Sequence, residues 1–298
     1  MLAPTPPSDP PPGRFYALLL AFHIFPIHAP ITLWLLDAPF GKFAIRSILN
    51  LPGNAAWAVM ELVAPLVFCL NLDYGALTPR ARTLAAAYLT HYAHRALISP
   101  LLLAPRRAPL HLVVVAAALV FNGLNASLLG LSLPAFPPPD GPTFWAGMAL
   151  WAVGFLGNIY HDEILHDLRR PPAQRLVSGA ADGPTDKSGK YRVPRGGLFA
   201  LVSFPNYLCE WLEWTGFAIA AAPGVLVAVP ALTSLGLPES FTHLVPEGAW
   251  PRALFAAPWA FVLVEVTSML PRALRGHAWY QRTFAYPPER KAIIPWLL

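Results

Sequence analysis

Long apolar stretches recur along the whole chain, and no other feature of the sequence constrains the fold as strongly. A helix needs about 20 predominantly apolar residues to cross a bilayer. Stretches of that kind lie at 16–36, 54–72, 83–103, 109–133, 143–164, 198–237 and 251–271. Apolar residues make up 55% of the chain and charged residues only 12%, a balance that excludes an ordinary soluble domain. We therefore predict an all-α, polytopic integral membrane protein with seven transmembrane helices, the sixth of which breaks near Pro223-Gly224.

The basic residues between these stretches predict the orientation of the chain. Lys and Arg are enriched in cytoplasmic loops, and seven spans place 16 of the 21 such residues on one side and 4 on the other. The N-terminus is then outside and the C-terminus cytoplasmic. We predict a disordered, Pro-rich leader at 1–14 and a single membrane domain at 15–298, with a cytoplasmic loop at 169–197 and a cytoplasmic tail at 272–298. The short loops and the high alanine and proline content suggest a bacterial inner membrane.

Ionisable residues inside the spans are candidates for a functional site, because a charge in lipid is costly. Glu61 stands alone in the second span, and Tyr92 and Arg95 share a helix face in the third. Glu61 and Tyr92 also have purely structural interpretations. Glu61 can pair with a neighbouring helix, and Tyr92 can be an ordinary buried tyrosine.

Polar residues form one stripe on the fifth span and another on the sixth. The stripes consist of Asn158, Asp162 and Arg169, and of Asn206, Glu210 and Glu213. Their helical spacing puts each set on one face. Carboxamides and carboxylates can bind a carboxamide, an adenine or a ribose hydroxyl, and a guanidinium can bind a phosphate. The stripes therefore suit a dinucleotide, although polar residues also hold membrane helices together through their own hydrogen bonds.

The sequence contains no G-x-G-x-x-G or Walker motif, so the phosphates of a nucleotide would be bound by side chains. Candidates follow the last span: Arg272, Arg275, Arg290 and Lys291, with Tyr280 to stack or hydrogen-bond. The same basic residues also fit a cytoplasmic tail that rests on anionic lipid.

Several ordered motifs resemble the steroid 5α-reductase family. The segments NIYHDEILHDLRRP, YRVPRGGLFALVSFPNYLCEWLEW and HAWYQRTFAYPPERKAIIPWLL are similar to its C-terminal signature, and AAWAVMELVAP and LTHYAHRAL to its N-terminal half. The resemblance covers residues 57–298. It implies a seven-span membrane oxidoreductase that uses NADPH to reduce the Δ4 double bond of 3-oxosteroids, by hydride transfer to the β-carbon of the enone.

The resemblance also implies roles for individual residues. Glu61 and Tyr92 match the pair that polarises the steroid 3-keto oxygen, and Trp57 matches an aromatic wall of the steroid pocket. The positions that match cofactor contacts are Asn158, Asp162, Arg169, Tyr191, Asn206, Glu210, Arg272, Tyr280 and Arg290, with Arg106 as a phosphate contact from the loop after the third span. Met60 and Gly276 depart from the family, whose close relatives have a glutamine and a histidine there. These departures bear on the choice of substrate more than on the type of reaction.

Four alternatives have different partners or chemistry. A membrane enoyl-thioester or polyprenal-type reductase would act on another lipid enone. An isoprenylcysteine-type methyltransferase usually has Arg-His-Pro where this chain has SFPNY, and a di-iron oxygenase needs more histidine and carboxylate ligands than the scattered nine histidines offer. A non-enzymatic sterol-binding protein would have no use for the polar stripes. We expect the lipid bilayer and a steroid or other lipid enone as partners, no nucleic acid and no metal, and an oligomeric state that is compatible with a monomer.

Overall fold

The structure is a computed structural model that describes residues 13–34, 38–189, 191–222 and 256–298. Three predicted features lie wholly or largely outside these residues: the Pro-rich leader, the Pro223-Gly224 break and the second half of the sixth span.

Helices make up most of the described chain. They are α1 (Gly13–Ile24), α2 (His28–Trp34), α3 (Gly53–Asn71), α4 (Pro79–Tyr92), α5 (Leu112–Ala135), α6 (Pro142–Asp167), α7 (Pro205–Ala221) and α8 (Ala257–Thr283). A 3₁₀ turn at Phe25–Ile27 joins α1 to α2, and α4 continues directly into a π-helical segment at Ala93–Leu103. Two short strands, β1 (Asn50–Leu51) and β2 (Leu110–His111), pair antiparallel with Asn50 opposite His111.

Three stretches of the described chain are long and apolar enough to cross a membrane. They are Arg14–Thr32, Gly53–Asn71 and Leu112–Ala135, which coincide with the first, second and fourth predicted spans. The other four predicted spans overlap α4 with its π-helical continuation, α6, α7 and α8. The apolar helices confirm the membrane character, and the count of seven spans stays a prediction. Helix α8 runs to Thr283, so the first part of the predicted cytoplasmic tail continues the last helix.

Local sequence signals fix several helix ends. Thr78 precedes α4 in an extended conformation and its Oγ1 accepts a hydrogen bond from the Ala81 amide at 3.3 Å, with Pro79 at the first helical position. His111 does the same for α5, since its Nδ1 accepts from the Val113 amide at 3.3 Å. The β1–β2 pair therefore places the starts of α3 and α5 next to each other.

Glycines allow α6 and α7 to pack with their backbones in contact. A Cβ atom on Gly154 would lie 2.3 Å from the Glu213 backbone nitrogen, and one on Gly216 would lie 2.4 Å from the Trp151 nitrogen. Small residues at a helix interface permit such an approach in membranes. The close contact brings the polar residues of α6 within hydrogen-bonding distance of those on α7.

The main apolar core surrounds Trp214 of α7. Its ring lies 4.6 Å from the ring of Phe261 on α8 and 6.0 Å from that of Tyr88 on α4, and Tyr88 stacks on Phe68 of α3 at 4.3 Å. These contacts hold four helices around one centre, so the side chains that line the site are carried on a packed frame.

Candidate functional site

Arg95 lies at the centre of a buried group of charges. Its guanidinium is 3.7 Å from Glu61 Oε1, 3.3 Å from Asp162 Oδ2 and 3.5 Å from Glu210 Oε2. These four residues, named here the Arg95 cluster, come from the π-helical segment and from α3, α6 and α7. The cluster therefore joins the predicted substrate residue Glu61 to two predicted cofactor residues.

The π-helical segment carries Arg95. The helix widens after Tyr92 and no longer follows the spacing of 3.6 residues per turn. Such π-helical segments are frequent at functional sites. Arg95 is the third residue of the widened segment. Sequence periodicity predicted that Arg95 and Tyr92 share a face, and both lie beside Glu61. Arg95 contacts three carboxylates, and the Tyr92 hydroxyl donates to Asn122, which faces the Glu61 carboxyl.

Two carboxamides connect the polar stripes of α6 and α7. Asn158 Nδ2 donates to the Asn206 carbonyl at 2.9 Å and to Glu210 Oε2 at 3.1 Å, and Asn206 Nδ2 donates to Asp162 Oδ1 at 3.0 Å. The two predicted stripes therefore face each other over these four residues.

The ends of the two stripes diverge from this arrangement. Glu213 turns toward α4, where its Oε1 is 2.7 Å from His91 Nδ1. Arg169 lies beyond the end of α6, where burial lowers the pKa of its guanidinium against the opposing effect of Asp162. Only the first two members of each stripe meet directly.

The Tyr92 hydroxyl is held by Asn122, which was not among the predicted site residues. It donates to Asn122 Oδ1 at 3.5 Å, and Asn122 Nδ2 donates to the Met60 carbonyl at 2.7 Å. Asn122 also faces the Glu61 carboxyl. A buried asparagine in an apolar span is costly in the same way as Glu61, and that signal would have revealed it.

Trp57 lies between two guanidinium groups. Arg95 stacks over its ring at 5.2 Å and Arg107 at 4.6 Å. Two hydrogen bonds orient Arg107. Its backbone amide donates to Asn54 Oδ1 at 2.8 Å, and its Nη2 donates to Ser99 Oγ at 3.3 Å. Burial lowers the pKa of Arg107 to about 10, whereas the predicted Arg106 is exposed. The loop after the third span thus turns Arg107, rather than Arg106, toward the cluster.

The remaining predicted cofactor residues gather around the end of α8. Tyr280 stacks on Tyr286 at 5.3 Å, Tyr191 contacts Trp279 edge to face at 5.3 Å, and Arg290 Nη1 donates to the Pro194 carbonyl at 3.5 Å.

Arg272 on α8 is covered by the loop that precedes β1. Its guanidinium lies 3.4 Å from the Phe40 ring centroid, and its Nη2 donates to the Phe40 carbonyl at 3.3 Å. Lys42 of the same loop lies 4.6 Å from both the Trp279 and the Tyr280 rings. No sequence pattern points to this lysine, because its partners are far away in the chain.

Gly276 has a packing reason for the absence of a side chain. A Cβ atom there would lie 2.3 Å from Phe204 Cζ and 2.8 Å from Lys42 Nζ, and the Gly276 carbonyl accepts from Lys42 Nζ at 3.2 Å. The neighbouring His277 hydrogen-bonds through Nδ1 to Ser203 Oγ at 2.7 Å. The glycine at position 276 therefore leaves room for the Phe204 ring and the Lys42 ammonium group.

The donor set fits a nicotinamide nucleotide. Asn206 is buried, and its Oδ1 has no hydrogen-bond partner among the residues that the structure describes. A buried amide oxygen without a partner is costly, so a ligand N–H group would satisfy it. Guanidinium groups of the kind that bind phosphates are also present: Arg107 and Arg169 both face Asp162.

These buried ionisable groups, enclosed by apolar helices and flanked by arginines, form the candidate site of a membrane protein. The family described as 3-oxo-5-alpha-steroid 4-dehydrogenase matches residues 108–243 and 252–298. An uncharacterized protein of Schizosaccharomyces pombe is 38% identical over 90% of this chain and 94% of its own length. The 3-oxo-5-alpha-steroid 4-dehydrogenase 1 of Bos taurus is 32% identical over 90% of this chain and 91% of its own, and the steroid 5-alpha-reductase DET2 of Solanum lycopersicum 29% over 95% of each.

The chain belongs to the 3-oxo-5-alpha-steroid 4-dehydrogenase family, which confirms the resemblance seen in its motifs. Membership places the protein among oxidoreductases that act on a C=C bond, in a family that generally uses a nicotinamide cofactor.

Proposed function

We propose that this protein reduces the Δ4 double bond of 3-oxosteroids to 5α-reduced steroids, with NADPH as the reductant. The observation that carries the proposal is the Arg95 cluster. It holds Glu61, the proposed carbonyl-binding residue, within 3.7 Å of a guanidinium that also contacts Asp162 and Glu210. The residues proposed for substrate and for cofactor therefore meet in one buried cluster, which supports a reaction between two bound molecules.

The chemistry of an enone explains the pairing of Glu61 and Tyr92. A hydride added at the β-carbon pushes negative charge onto the carbonyl oxygen, so catalysis needs a donor where that charge develops. Tyr92 is a neutral phenol that donates to Asn122 in this structure and would donate to the carbonyl oxygen of a bound steroid. Glu61 adjoins Asn122 as well, and this proximity supports a joint role of Glu61 and Tyr92 in holding the ketone.

The nicotinamide nucleotide supplies the hydride when it is bound. We propose that Asn158, Asp162, Asn206 and Glu210 hold and orient its carboxamide and ribose groups. The phosphates and adenosine would fall to the basic and aromatic residues Arg106 or Arg107, Arg169, Tyr191, Arg272, Tyr280 and Arg290. Different residues would thus bind the substrate and the phosphate end of the cofactor. This division fits the solubilities of the two molecules, because the apolar substrate can enter from lipid while the charged end of the cofactor stays near water.

A lipid enone other than a steroid is the second candidate, and Met60 favours it. The Met60 side chain is buried and packs with Ala56, Leu110 and Val115, so the position before Glu61 presents an apolar group. Carbonyl recognition then depends on Glu61 and Tyr92 without help from a side-chain amide at position 60. Such a site is less restricted to one class of ketone.

The test is NADPH oxidation by the purified protein in detergent, with testosterone or progesterone as acceptor and the product identified by mass spectrometry. We expect a 5α-reduced product, and a loss of about 10²–10³ in rate for Glu61→Gln and for Tyr92→Phe. Glu289→Gln and Tyr74→Phe are matched controls, because both side chains are exposed, and their rates should equal that of the wild type. NADPH binding without steroid reduction would favour the lipid enone, and absence of NADPH binding would refute the proposal.

A further inference from the structure

The Arg95 cluster contains more acidic than basic groups. One guanidinium contacts three carboxyls, and all four side chains are at most 16% exposed. Glu265 on α8 acts electrostatically on Glu210, Arg95 and Glu61 and adds a fourth acid. A single arginine can compensate one of these groups.

Other titratable groups around the cluster do not remove the excess. On α4 and the π-helical segment, His91 is engaged by Glu213 and His94 faces Asp162. Arg107 and Arg169 both face Asp162 from loops, and they are the arginines that phosphates of a bound nucleotide would engage. Tyr92 faces Glu61 as a neutral phenol.

An excess of buried negative charge must be neutralised, because an uncompensated carboxylate in a medium of low dielectric constant is costly. Either the carboxyls hold protons or a cation lies beside them. The buried Asn206 Oδ1, which lacks a partner among the described residues, independently points to a ligand at this place, since Asn206 Nδ2 donates to Asp162 of the cluster.

The proposed reaction brings such a cation to the cluster. The donor and acceptor atoms of a transfer must approach to about 3–3.5 Å, so the nicotinamide ring has to lie near Glu61 and Tyr92, which hold the carbonyl of the same enone. The reduced ring is neutral and the oxidised ring carries a positive charge. The charge that the cluster faces therefore changes by one unit with the redox state of the nucleotide.

Building on the function proposed above, we propose that the Arg95 cluster holds one proton beside the reduced nucleotide and releases it beside the oxidised nucleotide. The balance is complete. The β-carbon gains a hydride from the reduced nucleotide, the double-bond electrons move toward the carbonyl, and the α-carbon gains the proton that the cluster gives up. The cluster is left with one more negative charge, which the oxidised ring compensates.

A difference in bound protons makes the relative affinity of the two nucleotides depend on pH. If NADP⁺ binding releases one proton more than NADPH binding, each unit of rising pH strengthens NADP⁺ binding about tenfold relative to NADPH binding. The 2′-phosphate and the pyrophosphate are common to both nucleotides, so their own titration cancels in the ratio.

The experiment is isothermal titration calorimetry of the full-length protein in detergent with NADPH and, separately, with NADP⁺, without steroid. Titrations in two buffers of different ionisation enthalpy give the number of protons released, and a series from about pH 6 to 8 gives the affinity ratio. We expect NADP⁺ to release about one proton more than NADPH. Asp162→Asn and Glu210→Gln should each reduce that difference.

Glu163→Gln is the matched control, because Glu163 lies on α6 next to Asp162 in sequence but pairs with Arg170 at 2.7 Å and with His166 at 2.9 Å. Its proton counts should equal those of the wild type. Equal proton release by both nucleotides, with an affinity ratio that does not change with pH, would overturn this inference and leave the proposed function intact. Failure of both nucleotides to bind would overturn the proposed function itself.

Discussion

Replacement of Gly154 by alanine tests whether the contact between α6 and α7 builds the site. The added Cβ would lie 2.3 Å from the Glu213 nitrogen and 2.6 Å from the Cys209 carbonyl oxygen, both backbone atoms that cannot rotate away. Favourable contacts between non-bonded heavy atoms need about 3.5 Å, so the helices must separate by about 1 Å. The Asn206–Asp162 hydrogen bond, now 3.0 Å, would then exceed the length at which such a bond is effective.

The magnitude follows from two costs and one gain. Overpacking of a close contact costs about 1–3 kcal/mol, and each weakened hydrogen bond to a charged group costs about 1.5–3 kcal/mol. Alanine in place of glycine within a helix returns about 0.5–1 kcal/mol. For one weakened hydrogen bond, the net expectation is a loss of about 2–5 kcal/mol in stability. We also expect at least a tenfold loss in NADPH affinity, since each 1.4 kcal/mol is about a factor of ten.

The assay is thermal unfolding in detergent together with NADPH binding by calorimetry. Gly123→Ala is the matched control, because a Cβ on that glycine of α5 would meet nothing within 4 Å. We expect it to be as stable as the wild type or slightly more so, with unchanged NADPH affinity. Wild-type stability and NADPH affinity in Gly154→Ala would show that the α6–α7 contact does not determine the site.

Three further substitutions test individual contacts. Arg95→Gln leaves three carboxyls without their guanidinium and should lower stability by about 3–5 kcal/mol. Thermal unfolding at neutral and acidic pH should show that part of this stability returns in acid. A variant as stable as the wild type would contradict the central role of Arg95 in the cluster. Asn122→Leu removes the partner of the Tyr92 hydroxyl and should lower kcat/KM for the steroid about tenfold without changing the Kd of NADPH. Arg107→Gln should weaken NADPH binding at least tenfold, whereas Arg106→Gln, at an exposed position, should not; equal effects in calorimetry would show that the loop orientation is unimportant.

The sequence predicted the helical membrane fold and the facing of two polar stripes, because both follow from periodicity within single helices. Asn158 and Asp162 are one turn apart, as are Asn206 and Glu210, and the structure pairs these sets as their spacing indicates. The membrane character and the family are confirmed. The number of spans, the orientation of the termini and the source membrane stay predictions.

The sequence did not predict contacts that depend on a change of helix geometry or on distant parts of the chain. Arg95 contacts carboxyls on α3, α6 and α7, and no pattern within its own widened segment encodes those partners. Lys42 reaches the Gly276 carbonyl across a separation of 234 residues, which no local pattern encodes. Arg107 rather than Arg106 turns inward because of hydrogen bonds to Asn54 and Ser99, partners that only the assembled loops bring together.

The distribution of the Arg95 cluster over four segments also has a consequence for biogenesis. Glu61 leaves the ribosome first, Arg95 follows with the next helix, and Glu210 is synthesised much later. The segments that are synthesised first therefore meet the insertion machinery with ionisable groups whose partners are not yet all present. A chain arrested before α7 would present the guanidinium to an incomplete set of acids. We expect such nascent chains to be retained beside the translocon until α6 and α7 arrive, so that delivery of the last acids coincides with release into the lipid.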